Sequence, residues 1–81
     1  MFTTIQESLE VYRAEARRYW EWYESFKDRP GFAAGPYVFM TVHEYHRHEG
    51  WHMKLMGMQR ALGLTGDEIL RINREFNQIT A

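Results

Sequence analysis

The chain has 81 residues, a formal net charge of −1 at neutral pH and no cysteine. A near-neutral chain has no general attraction for nucleic acid or an anionic membrane, and without thiols it has neither disulfides nor thiolate metal ligands. No apolar run approaches the roughly 20 residues of a membrane span, and no basic-then-apolar segment marks a signal peptide, so we expect a soluble, cytoplasmic protein with one domain over residues 1–81.

The first predicted helix spans about residues 5–28. Thr4, with Glu7 three positions later, forms the capping-box pattern that starts helices. Apolar residues then recur at steps of four and three, as in a helix that packs lengthwise on another. This seam consists of Ile5, Leu9, Tyr12, Ala16, Tyr19, Tyr23 and Phe26. Trp20 and Trp22 flank the seam, so the apolar face is wide enough for two neighbouring helices.

The second predicted helix spans about residues 36–62. Pro36 suits a first helical position, and Gly63 suits a left-handed cap beyond the last one. Gly50 and Gly57 lie inside this helix, where a glycine is compatible either with a kink or with close approach of another helix.

The third predicted helix spans about residues 66–79. Thr65 and Glu68 again form a capping-box pattern at its start. One face of it is apolar and consists of Ile69, Ile72, Phe76 and Ile79.

The lengths of these helices predict an all-α fold with two long antiparallel helices, a hairpin, and a short C-terminal third helix. The first two helices would each span roughly 35–40 Å. A compact globule of this chain length has a radius of gyration near 12 Å and a diameter of about 30 Å. Because the short third helix covers only part of the hairpin, we expect dimerisation to complete a helical bundle.

All four histidines lie between positions 43 and 52, on the second predicted helix. His43 and His46 fall on its polar side and are expected to face solvent. His48 and His52 fall on the apolar side, in a row with Glu44. Histidines at i and i+4 point the same way and can share one metal ion. The candidate metal ligands are therefore His48, His52 and Glu44, for Zn²⁺ or another divalent transition metal.

The stretch from His48 to His52 matches the pattern H-E-x-x-H and in that respect resembles the zinc-binding helix of the zincin metalloproteases. The resemblance implies that the two histidines hold zinc and that Glu49 activates a water as the catalytic base. It covers five residues. The extended motif fails, since Leu55 and Met58 occupy the positions of its glycine and third histidine.

Two other interpretations of the same residues stay open. Glu49 and His52 also fit the Glu-x-x-His element of di-metal four-helix bundles, for which the first helix offers only Glu15 near its seam. Alternatively, His48 and His52 are neutral residues at the core edge, hydrogen-bonded to a tyrosine or glutamate of a neighbouring helix.

The aromatic content favours an interaction protein that acts by binding, not catalysis. The chain has three Trp, five Tyr and five Phe, and aromatic side chains are enriched where partners dock. We expect an adaptor, structural component or inhibitor that forms a homodimer and also binds a larger protein. The candidate interaction surface consists of Trp20, Trp22, Tyr37, Trp51 and Met58.

A third interpretation is a helix-turn-helix DNA-binding regulator. Residues 58–76 read as helix, short turn and helix, with Arg71 and Arg74 facing outward on the second element. The slightly acidic balance of the chain argues against nucleic-acid binding.

Overall fold

A computed structural model describes residues 4–32 and 37–77, and within them the chain forms three α-helices and no β-strand. The helices are α1, Ile5–Glu24, α2, Val42–Leu62, and α3, Gly66–Phe76. The predicted all-helical class with three helices is confirmed.

The side chains at the starts of α1 and α3 cap these helices as predicted. The Thr4 hydroxyl accepts a hydrogen bond from the Glu7 amide at 3.0 Å. At α3 the capping is reciprocal, because the Thr65 hydroxyl accepts from the Glu68 amide at 3.2 Å and the Glu68 carboxylate accepts from the Thr65 amide at 3.0 Å. Each contact satisfies a backbone donor that the first turn of a helix leaves free.

The predicted start of the second helix was wrong. Pro36 lies outside the described residues, and residues 37–41 are not helical, so α2 begins only at Val42. The reason is a second complete capping box. The Thr41 hydroxyl accepts from the Glu44 amide at 3.1 Å, and the Glu44 carboxylate accepts from the Thr41 amide at 2.9 Å.

The ends of the other two helices also differ from prediction. α1 ends at Glu24, four residues early, and the chain continues in tighter turns, as in the bond from the Phe26 amide to the Tyr23 carbonyl at 3.1 Å. α3 ends at Phe76; Ile79, predicted to belong to its apolar face, lies outside the described residues.

The glycines of α2 have different roles. Gly63 adopts φ +66° and caps the helix in the left-handed conformation, as predicted. The helix runs without interruption through Gly50 and Gly57, and a Cβ at either would meet no atom of a neighbouring element within 4 Å. Close helix approach is therefore not the reason for either glycine.

The core forms around α1, which packs against both other helices. Its buried members are Tyr12, Ala16 and Tyr19 of α1, Leu55 of α2 and Ile72 of α3. The seam predicted for the first helix thus supplies most of the buried side chains. The principal extents are 43 × 26 × 18 Å and the radius of gyration is 13.7 Å, against about 12 Å for a compact chain of this length. The chain is elongated.

Polar contacts fasten α3 to α1. The Trp20 indole donates to the Asn73 side-chain carbonyl at 3.3 Å, and Arg13 forms an ion pair with Glu75. Both contacts flank the apolar packing of Ile72, so α3 is held on α1 by apolar and polar groups together.

The connection between α1 and α2 is anchored by aromatic packing. Phe39 is buried, and its ring centroid lies 4.9 Å from that of Phe32 and 6.1 Å from that of Phe26. Phe39, which lies within the predicted second helix, therefore packs as part of a loop over the end of α1.

Candidate functional site

The four histidines separate into one buried and three exposed side chains. His43 and His46 face solvent, in agreement with the sequence prediction. His48 is buried, with 4% of its surface exposed, but His52, one turn later, is exposed. His48 and His52, which fall on the same apolar side of a helical wheel, therefore lie at the edge of the core, one inside it and the other in contact with solvent.

Tyr19 determines the environment of His48. The Tyr19 hydroxyl and His48 Nδ1 are 2.8 Å apart in a buried hydrogen bond, while His48 Nε2 lies 3.7 Å from a carboxylate oxygen of Glu49. The carboxylate favours the proton on Nε2, so Nδ1 accepts from the hydroxyl. This is the contact predicted by the core-histidine interpretation.

Tyrosine rings enclose the imidazole of His48 on several sides. Their centroids lie 5.8 Å from it for Tyr19, 6.1 Å for Tyr23, 4.4 Å for Tyr37 and 6.2 Å for Tyr45. Burial lowers the pKa of His48 below its ordinary value and raises the pKa of the Tyr19 hydroxyl, since burial disfavours the charged form of each group. Both groups are neutral at physiological pH.

The predicted metal ligands do not all come together. The rings of His48 and His52 stack with centroids 6.1 Å apart, but Glu44 turns away to Arg29 and Thr41. Among residues 4–32 and 37–77, no group of three or more His, Cys, Asp or Glu side chains is placed to hold a metal ion.

Glu44 instead fastens the connection to the start of α2. Its two carboxylate oxygens accept from the Arg29 guanidinium at 2.6 and 3.0 Å, and the same guanidinium donates to the Phe39 carbonyl at 3.0 Å. The bonds from Arg29 and from the Thr41 backbone lower the pKa of Glu44 to about 2. The Thr41-to-Glu44 spacing is a readable capping signal that was not used, whereas the sequence carries no signal for the pairing of Glu44 with Arg29.

Most of the predicted interaction residues pack within the chain itself. Trp20, Trp22, Trp51 and Met58 are only partly exposed and contact the core cluster. Tyr37 is 38% exposed, and its ring packs against that of His48 at an angle of 44°. The broad apolar face of α1 is thus covered by α2 and α3, which is why these aromatic residues form the margin of the core.

An exposed apolar surface lies instead on the outer side of α2, apart from the exposed apolar residues Ile5, Val11, Val38 and Leu70 elsewhere on the chain. At 100° per residue, four large side chains fall within roughly a quarter of the helix circumference. They are Val42, 75% exposed, Tyr45, 40%, Met53, 66%, and Met56, 39%. We call these four residues the α2 arc. Glu49 and Arg60 lie at the same angular positions and are also exposed.

A shallow depression adjoins the C-terminal end of the α2 arc. Its volume is about 390 Å³, and it is lined by Met56, Gln59, Arg60, Gly63, Leu64 and Ile69. The turn between α2 and α3 contributes two of these residues, Gly63 and Leu64. Together, the arc and the depression make a continuous, partly apolar surface.

The groove between α1 and α2 is polar by contrast. Glu15 lies between Lys54, at 3.2 Å, and Arg18, at 3.6 Å. The Arg47 guanidinium lies over the ring of Trp51 at 5.4 Å. These cations are already engaged with groups of the chain itself.

The predicted helix-turn-helix segment carries mixed charge. Arg71 and Arg74 are exposed on α3, but the same short helix also carries Asp67, Glu68 and Glu75. The acidic groups offset the attraction that a phosphate backbone would need.

Within the described residues, no helix has the length and apolar character needed to cross a bilayer. No family model, curated protein or solved structure matches this chain.

Proposed function

We propose that the chain is a small helical protein-interaction module that acts by binding through the α2 arc. The observation that supports this is the exposure of four large apolar side chains on one side of one helix. Contiguous exposed apolar surface marks interaction sites in soluble proteins. Spacing of three and four positions is the pattern by which a helix docks on another helix or in a groove.

The packing of the rest of the chain explains why this surface is available. Contacts between α1 and α2 join later residues of α1 to earlier residues of α2, which supports the antiparallel hairpin. The contacting pairs are Tyr12 with Gln59, Glu15 with Lys54 and Tyr19 with His48. α1 thus covers the inner side of α2, and the outer side remains for a partner.

Site-specific photo-crosslinking tests the proposal in the host cell. A benzophenone side chain replacing Met53 should form an adduct of discrete mass, whereas the same group replacing exposed Ala14 of α1 should not. The adduct's mass distinguishes a second copy from a larger protein. Equal labelling at both positions, or none at either, would contradict the proposal.

Zinc binding by His48 and His52 is the second candidate function. Zinc on Nε2 of His48 would require the other tautomer of the imidazole, in which Nδ1 donates its proton to the Tyr19 hydroxyl and is held by it, as in metal-ligating histidines. His52, one turn later, stacks on that ring. Two histidines are too few for a tetrahedral site, so further ligands would come from another molecule.

Thermal unfolding in the presence of zinc separates the two candidates. A zinc site would raise the melting temperature of the wild type and of His43→Ala, but not of His52→Ala. Because His52 and His43 are both exposed, neither substitution disturbs the core. An unchanged melting curve in excess zinc excludes the site.

A further inference from the structure

We infer that the occupant of the α2 arc is a second copy of this chain, packed antiparallel on α2 about a two-fold axis between Met53 and Met56. The inference rests on the proposed function of the arc and identifies its partner. In such a pair, the two residues that face each other lie equally far from the axis on opposite sides. Met53 of each copy therefore contacts Met56 of the other.

The charges on the arc are complementary in this register. Glu49 and Arg60 lie equally far from the axis, so each carboxylate meets the guanidinium of the other copy, twice by symmetry. Within the described residues Arg60 forms no ion pair, and the nearest basic group to Glu49 is the neutral His48, at 3.7 Å. Both charges are thus free to form ion pairs between copies.

Other arrangements of the same helix place like charges together. A parallel pair in register sets Glu49 against Glu49 and Arg60 against Arg60. An antiparallel pair centred on Glu49 brings the two carboxylates face to face. Like charges across an interface are destabilising, so the inferred register is favoured over both of these arrangements.

The depression beside α2 accommodates the remaining aromatic residue of the arc. Tyr45 lies about 14 Å from the axis along the helix, beyond the last residue of α2 in the second copy, where the turn with Leu64 follows. Leu64 lines the depression of about 390 Å³, together with Ile69. A tyrosine that is 40% exposed would therefore meet a concave, partly apolar surface at each end of the dimer.

The exposed area is consistent with an interface of ordinary size. The chain exposes 5980 Å², whereas a compact monomer of 9.8 kDa exposes about 5,200 Å². The chain thus exposes more surface than a compact monomer of its mass, as an elongated chain does, and a standard interface buries about 800 Å² of each partner.

Charge reversal tests both the dimer and its register. Wild type should dimerise in sedimentation velocity at micromolar concentration. Glu49→Arg alone and Arg60→Glu alone should each weaken self-association at least tenfold, because each sets like charges together twice. Glu10→Arg, on the exposed side of α1, should leave it unchanged.

Mixing the two weakened variants gives the decisive result. In a dimer of Glu49→Arg with Arg60→Glu, both facing pairs again carry opposite charge, so the mixture should dimerise at concentrations where each variant alone is monomeric. Circular dichroism of each variant verifies that it is folded. A mixture that stays monomeric overturns the register.

If the wild type is monomeric at high micromolar concentration, the inference that a second copy of the chain occupies the α2 arc is wrong. The crosslink at Met53 then shows whether the proposed function fails with it. An adduct heavier than a dimer of this chain would support the proposed interaction module with another partner. The absence of any adduct would contradict both the dimer and the interaction module.

Discussion

Replacing Tyr19 by phenylalanine removes a single hydroxyl from the centre of the molecule. The ring keeps its contacts with the neighbouring aromatic side chains, including Trp20 at 5.0 Å and Trp51 at 5.6 Å between centroids. What is lost is the 2.8 Å hydrogen bond to His48. The buried Nδ1 then has neither its partner nor access to water.

The magnitude follows from the burial of both partners. Tyr19 and His48 are each 4% exposed. Leaving a buried acceptor unsatisfied costs about 1–3 kcal/mol, and near-complete burial places Tyr19→Phe at about 2 kcal/mol. A domain of this length has a total stability of roughly 4–12 kcal/mol. Tyr19→Ala, which also removes the ring, should cost about 3–5 kcal/mol or more.

Urea unfolding followed by far-ultraviolet circular dichroism at pH 7.5 measures these differences. Glu21→Ala is the matched control on the same helix, because its side chain is 64% exposed and forms a surface ion pair with Arg17, at 3.5 Å. Such a pair contributes about 0.3–0.5 kcal/mol. Combining Tyr19→Phe with His48→Phe should cost less than the sum of the two, since both polar partners are then gone. A Tyr19→Phe variant as stable as Glu21→Ala would refute the reasoning.

Three further predictions concern pH and backbone conformation. The pKa of Glu44 is about 2 in the folded protein, so the contribution of its carboxylate to folding stability is complete above its ordinary pKa and is lost as the pH falls through 2. Glu44→Gln should therefore lower the melting temperature at pH 6, and this difference from the wild type should vanish near pH 2. Because burial lowers the pKa of His48, the contribution of its neutral ring to folding stability is complete above pH 6.5 and declines as the pH falls. His48→Gln should therefore flatten the dependence of stability on pH below 6.5, whereas His43→Gln, at an exposed position, should preserve it. Gly50→Ala should stabilise the helix by about 0.5–1 kcal/mol, and Gly63→Ala, at φ +66°, should destabilise it by about 1 kcal/mol in urea unfolding; the opposite signs would contradict the helix assignment.

The helices of this chain were predictable wherever one periodicity or one capping signal dominated. The seam of α1 yields buried Tyr12, Ala16 and Tyr19 because its apolar residues occupy one face. The start of α3 follows from Thr65 with Glu68. In each case the local pattern and the tertiary packing agree.

The orientation of α2 was not predictable in the same way. Apolar side chains lie on both its inner and outer sides, so the sequence does not specify which side meets α1. Leu55 and His48 face inward, while Met53 and Val42 face outward. The contact between Arg29 and Glu44 depends on how the connection folds back, and residues 15 apart without a shared periodicity give no signal for it.

The brevity of α3 has a consequence for local opening. A helix of 11 residues is marginal in isolation, because isolated helices below about 12–15 residues are barely stable in water. α3 therefore stays helical chiefly through its contacts with α1, and detachment and melting become one event. The amides of Ile72 and Asn73 should exchange with solvent deuterium together, at a lower opening free energy than the amides of α1. When α3 detaches, the face of α1 that it covers becomes exposed to water.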